Sequence, residues 1–360
     1  MNQTMKIIII GTGASGITAG HLLAQKNIDF EILEASSVHG GRLKKIDGFV
    51  DFPIDLGAEW VHKWIKAKPP LAESLLQNKN PKFKTFKYRP QTYSLWKFGK
   101  LWNINFFRHL AINDDKFVDS TWFDSFDELI TPSLKERIRY NSAVNKIEYG
   151  GADVTITTTS GETYHADKVL LTVPITILQQ EFITFEPPLP DEKMKAIHKE
   201  VMPDGLKVFI EFSERFYPDM LFIDSILYNV PHSYGYYDAT LGKQTAQNVM
   251  GFLVEGERAT KITSLENDDA ILAYVLNELD EIFDGQATKH YINHVVQNWS
   301  KEPFIRGTYS HRKSAVKMLA NPVANQLYFA GEAMNIKGKT IAVHGASESS
   351  YLMVDVMLDD

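Results

Sequence analysis

MKIIIIGTGASGITAGHLLAQKNIDFEILE, residues 5–34, sets an unbroken apolar run directly before a glycine loop. Ile7 to Ile10 read as a strand buried on both faces of a parallel sheet, because a β-branched run without alternation leaves no face for water. Gly11-Thr12-Gly13-Ala14-Ser15-Gly16 follows. Ile17 to Lys26 then reads as a helix with Leu22 and Leu23 inward, and Phe30 to Leu33 as a second strand ending at Glu34. The whole is a strand–turn–helix–strand unit of about 30 residues with an acid about 20 residues past the loop.

Each position in the loop has a physical task. Gly11 permits the tight turn, Gly13 lets backbone approach a pyrophosphate, and Gly16 lets the helix pack closely on the strand. The helix N-terminus offers unpaired N–H groups and a positive dipole end to phosphate. Glu34 would accept hydrogen bonds from the ribose hydroxyls and repel a 2′-phosphate, so FAD or NAD fits and NADP does not. A lone GxGxxG is also met in ordinary tight turns; the flanking strands, helix and acid give it meaning here.

The remaining composition narrows the class. With 360 residues, 44% hydrophobic and 23% charged, the chain is long enough for two domains with sizeable cores. A formal net charge of −7 and a pI near 5.9 argue against a nucleic-acid surface. The absence of cysteine excludes disulfides, thiolate zinc sites, iron–sulfur clusters and cysteine nucleophiles; no metal site is expected. The apolar run leads straight into the glycine loop, and no stretch approaches the roughly 20 apolar residues of a membrane span. A cytoplasmic, non-membrane protein is therefore expected.

Further along, Leu71 to Ile130 is rich in lysine and aromatics and is read as mainly helical, with turn signals at Pro69-Pro70 and Asn80-Pro81. Val154 to Thr159 and Lys168 to Val173 read as strands with a turn at Ser160-Gly161, and Lys207 to Phe212 as an alternating strand. Asp268 to Phe283 is an amphipathic helix and His294 to Trp299 another strand. No internal repeat is visible. His39-Gly40-Gly41-Arg42 presents an arginine beside two glycines, able to reach a pyrophosphate. In Asp55-Leu56-Gly57-Ala58-Glu59-Trp60-Val61-His62, small residues allow backbone to approach a flat ring.

These motifs, with LTVP at Leu171–Pro174, YFAGEA at Tyr328–Ala333 and the following AVHGASES, together resemble the flavin-dependent amine oxidase family. The resemblance implies an α/β protein with a Rossmann-like FAD-binding domain and a mixed α+β substrate domain built on a largely antiparallel sheet. This is the p-hydroxybenzoate hydroxylase/amine oxidase-like architecture. The expected division is FAD domain at residues 1–66, 139–177 and 298–360, and substrate domain at 67–138 (helical) and 178–297 (sheet plus helices).

The cofactor implied is FAD, bound non-covalently. Glu34 would face the ribose, Arg42 the pyrophosphate, Val144 the adenine, and Gly331-Glu332 the phosphate and ribityl chain. Gly57, Ala58, Glu59 and Trp60 would lie against the isoalloxazine, flanked by Trp299. Ala342 and Val343, at the start of the last helix, would direct a positive dipole end at the reduced ring. Neighbouring Ala14, Ser15, Ala35, Gly41, Leu43 and Ala346 complete the expected contacts.

The resemblance also points to Lys207 as the catalytic lysine, in a strand of the form K-V-x-x-x-F, and to His62 and Trp299 as further site residues. Alternation alone would make Lys207 a solvent-facing edge lysine. The implied activity is oxidation of a small-molecule amine, with hydride passing from the α-carbon to the flavin, imine hydrolysis, and reoxidation by O2 to give H2O2. Ala342 stands where relatives usually place an aromatic of the amine cage, so either a wider entrance or a wall from elsewhere, such as Phe304 or Tyr309, is expected. Two alternatives stay open: a related FAD-dependent desaturase acting on an apolar or aromatic substrate, and a flavin-binding protein without turnover.

Overall fold

The computed structural model describes residues 5–62, 81–106, 114–225, 234–311, 316–337 and 342–360. Its first sheet has five parallel strands in the order Leu327–Phe329, Lys168–Leu171, Lys6–Ile10, Asp29–Leu33, Ile138–Arg139. Stretches far apart in the chain thus lie side by side, with Ile10 in register with both Leu33 and Leu171. Ile7, Ile8 and Ile9 are fully buried, as an unbroken β-branched run in a central strand requires. The helix after the loop spans Ala14–Gln25, starting three residues before the predicted Ile17 because Gly13 already serves as its cap.

The last helix, Val343–Asp359, packs along Ala14–Gln25. Ser15 Oγ lies 2.6 Å from Ser350 Oγ, and Thr18 Oγ1 donates to Ser347 Oγ at 3.1 Å. The small residues of AVHGASES therefore do more than open space for a ligand. They let two helices approach closely enough for serine to meet serine.

A second sheet of seven strands is antiparallel apart from one parallel pair, in the order Tyr291–Asn298, Gly205–Phe212, Asn248–Glu255, Tyr234–Asp238, Met220–Ile223, Tyr93–Lys97, Lys100–Asn103. One face packs on the helix Asp268–Ile282 and carries its own apolar core. Phe209, Phe222 and Tyr237 on the other face meet Phe52, Ile54 and Leu56 from the loop beside the parallel sheet. This second contact surface is where the site forms.

One expectation is overturned. The described part of the stretch read as mainly helical is largely strand: Thr85–Lys87, Tyr93–Lys97, Lys100–Asn103 and Asp115–Phe117, with a single α-helix at Trp122–Leu129. The described lysines of this stretch are scattered over short strands, a 3-10 turn and loops rather than along one helix face. Residues 71–80 and 107–113 of that prediction lie outside the described residues. Among the described residues no helix is long and apolar enough to cross a membrane.

Candidate active site

At the carboxyl end of the parallel strands lies an open cleft of about 160 Å³, lined at the glycine loop by Gly11, Thr12 and Gly13 and beyond it by Glu34, Ala35, Gly41, Arg42 and Val144. Ligands of open α/β sheets bind at this edge. Gly11 has φ +102°, and a Cβ on Gly16 would sit 1.9 Å from the Gly11 carbonyl oxygen, so neither position tolerates a side chain. The helix begins at Ala14 with no side-chain cap, leaving its first N–H groups facing the cleft side of the loop.

Glu34 is fixed at the rim by hydrogen bonds. Its carboxylate accepts from Thr12 N and Ser36 N at 2.8 Å each, and from Thr12 Oγ1. Gly40 N donates to Thr12 O at 3.0 Å, which draws the Gly40–Gly41 turn onto the loop and brings Arg42 to the cleft. Arg42 Nη1 donates to Glu332 at 2.9 Å and to Thr308 O at 2.7 Å. Arg42 and Glu332, both expected at the phosphates, are thus tied to one another. Ser15 is buried, with its hydroxyl held by Ser350. The uncapped helix, the side-chain-free cradle and the rim carboxylate fit a dinucleotide.

Beyond Arg42 the chain closes on itself. A Cβ on Gly57 would lie 1.9 Å from the Arg42 carbonyl oxygen and 3.1 Å from the Trp299 ring, and Trp299 Nε1 donates to Leu56 O at 3.0 Å. Leu43 is buried beside them. Gly331 N donates to Ser349 Oγ at 2.8 Å, and Asn335 Nδ2 to Gly345 O at 2.8 Å, which seats the Gly331–Asn335 turn on the last helix. Ala342 is extended and precedes a helix start without a side-chain cap, and Ala346 N donates to its carbonyl at 3.1 Å.

Lys207 is buried on the face of the seven-stranded sheet that meets residues 55–60, not at a solvent edge. Its Nζ donates to Asp55 O at 3.1 Å, Gly57 O at 2.8 Å and Glu59 Oε2 at 2.8 Å. Glu59 is the hub of this region: Oε1 lies 2.5 Å from Lys116 Nζ, and Oε2 also accepts from Tyr237 OH at 2.5 Å. Burial alone would raise the Glu59 pKa, but Lys116 and then Lys207 override it and pull it down to about 2.

Asp55 behaves oppositely: burial, then the Glu59 charge, pushes its carboxyl up to about 8. Lys243, which donates to Phe117 O and Val118 O at 2.7 Å each, is drawn down to about 8 by burial and then by Lys116. Asp55 therefore opposes folding between pH 3.8 and about 8, where the unfolded carboxyl has lost its proton and the folded one keeps it. Relative to wild type, Asp55→Asn is expected to gain stability steadily as pH rises across that window. Urea midpoints of both proteins at pH 5 and pH 8 check this; a pH-independent difference would refute it.

His62 pairs with Asp114, Nδ1 to Oδ2 at 2.8 Å. Phe304 lines the dinucleotide cleft and Tyr309 stacks on His311 at 5.3 Å, whereas an aromatic wall beside Glu59 and Lys207 is present without them. That wall comes from Trp60 and Tyr237, whose ring centroids are 5.7 Å apart, and from Tyr88, 5.0 Å from Trp60. Tyr88, Lys116, Tyr237 and Lys243 were not singled out from the sequence. Lys116 sits in DDKFVD, a charge run that reads as solvated surface; only Tyr237, next to Tyr236 in an aromatic strand, offered a signal.

A family model described as flavin containing amine oxidoreductase matches residues 110–358, and one described as NAD(P)-binding Rossmann-like domain matches residues 9–78. Lysine-specific histone demethylase 1B of Mus musculus is 32% identical over 206 residues, covering 55% of this chain but 25% of that protein's length. Polyamine oxidase 3 of Oryza sativa subsp. japonica is 24% identical across 98% of this chain and 89% of its own. The solved structure of cyclohexylamine oxidase from Brevibacterium oxydans superimposes with a TM-score of 0.81 over 99% of each chain at 13% identity, a likeness of fold.

Proposed function

Because the chain belongs to the flavin containing amine oxidoreductase family, we propose that it is an FAD-dependent amine oxidase acting on a small-molecule amine, with O2 as acceptor and H2O2 as product. The observation that carries this reading is Lys207, buried and triply hydrogen-bonded to Asp55 O, Gly57 O and Glu59 beside the Gly57–Trp60 strip. A lysine that a sheet edge could have left in water is instead buried against the Gly57–Trp60 strip, which supports the catalytic reading.

When bound, FAD supplies the two-electron acceptor. The glycine loop and the uncapped helix would hold its phosphates and Glu34 its ribose, while Gly57, whose missing side chain lets it pack on the Arg42 carbonyl, would set the Gly57–Trp60 strip beside the ring. An amine releases hydride from its α-carbon only with the nitrogen lone pair free, so the site favours the neutral amine. The cationic balance beside Lys207 acts in that direction, since it penalises a protonated nitrogen brought close. Lys207 Nζ places its three N–H donors on Asp55 O, Gly57 O and Glu59, so it acts by fixing the Gly57–Trp60 strip beside the ring, and the polar groups of this floor would orient the water that hydrolyses the imine.

With no cysteine in the chain, attachment of flavin through sulfur is impossible. Purified protein should be yellow, and heat denaturation should release FAD into the supernatant at about one per chain. A colourless protein that takes up no FAD would refute the cofactor assignment; colour that stays with the precipitate would refute non-covalent binding.

A further inference from the structure

Lys116 is the least expected residue of the site. Its Nζ lies 4.8 Å from the ring centroid of Trp60, 4.9 Å from Tyr88 and 4.8 Å from Tyr237, and 2.5 Å from Glu59 Oε1. Three aromatic rings and a carboxylate around one ammonium form the set that recognises an amine ligand. Here the occupant belongs to the chain itself, with a side chain only 3% exposed. It reaches in from the strand Asp115–Phe117, which is held in place by pairing with Thr85–Lys87.

The cage adjoins the proposed chemistry, because Glu59 receives Lys116 on one oxygen and Lys207 on the other. With Tyr237 also donating to it, that carboxylate already has three donors. A neighbouring space of about 10 Å³, room for roughly one water, is lined by Asp55, Glu59, Lys116 and Lys243. Around Lys207 the lysines thus outnumber the carboxylates. A further ammonium entering this region would find its natural receptor filled and a surplus of like charge, in surroundings where burial strengthens the repulsion.

We propose that Lys116 is a specificity-determining residue: by filling the aromatic–carboxylate cage beside Lys207 it restricts the protein to amines with one nitrogen and disfavours diamines and polyamines. This rests on the amine-oxidase reading and adds the substrate class.

The test uses the FAD-loaded protein, mixed anaerobically with n-butylamine or 1,4-diaminobutane while flavin absorbance is followed. Wild type is expected to favour the monoamine by roughly tenfold or more in the second-order rate of reduction, and Lys116→Met, which keeps the bulk and removes the charge, to narrow that ratio by a similar factor. Equal or better reduction by the diamine in wild type, or an unchanged ratio in the variant, overturns the proposal.

A second measurement does not depend on turnover. Lys116→Ala empties the cage, so ethylammonium chloride should raise its Tm more than equimolar sodium chloride does, while wild type shows no such difference. If the variant responds no differently from wild type, the cage is not an ammonium site and the proposal falls. If neither amine reduces wild-type flavin, the amine-oxidase reading fails instead, and the ethylammonium result still decides whether the cage binds an amine. Should neither variant fold, the wild-type preference alone decides.

Discussion

Glu59→Ala is expected to destabilise the protein by about 3–5 kcal/mol, because it strips the shared partner from two buried ammonium groups at once. Lys116 and Lys207 have side chains 3% and 4% exposed, so water cannot take the place of the carboxylate. The sign with pH follows from the depressed Glu59 pKa. Its contribution is complete above pH 4.5 and is lost as pH falls toward about 2, so the gap between wild type and variant should close over that range. Adding Lys116→Met to Glu59→Ala removes one stranded charge and should recover part of the loss, as coupled residues do. Urea unfolding of the single and double variants measures both effects; a loss below about 1 kcal/mol for Glu59→Ala would mean the ion triad contributes little, as exposed pairs do.

Lys207→Met should have the largest effect on turnover, lowering the rate of flavin reduction by about 10²-fold or more while FAD remains bound. Methionine preserves the length and apolar contacts of the side chain but offers no N–H to Asp55 O, Gly57 O or Glu59. Glu59 keeps Lys116 and Tyr237, so the surrounding structure should survive. Anaerobic stopped-flow with stoichiometric FAD separates this outcome from simple loss of cofactor. A variant that retains full FAD and the full reductive rate would point to the related desaturase chemistry, in which this lysine has no part.

The fold was legible where local sequence decides structure. Ile7–Ile10 could only be a buried strand, and the spacing of Gly11, Gly13, Gly16 and Glu34 admits few conformations other than the strand–loop–helix that forms. The strand carrying Lys207 was legible from alternation, but its burial was not. That burial arises because the loop Asp55–Trp60 folds down from the parallel sheet onto the antiparallel one, a meeting of segments about 150 positions apart. Lys116 was hidden for the same reason, since nothing within DDKFVD distinguishes a lysine bound for water from one bound for an aromatic cage. The stretch Leu71 to Ile130, rich in lysine and aromatics, misled in the other direction, since its described part forms short strands such as Thr85–Lys87 and Tyr93–Lys97. Small residues near the C-terminus were read as room for a ligand, and Ser347 and Ser350 also make the contact between the first and last helices.

Anaerobic titration of the yellow protein with a panel of monoamines, diamines and amino acids tests the proposed activity most directly. Bleaching of the flavin band by at least one monoamine, with peroxide formed on admitting air, is the expected result. A flavin that dithionite reduces but that stays oxidised with every amine would contradict an amine oxidase.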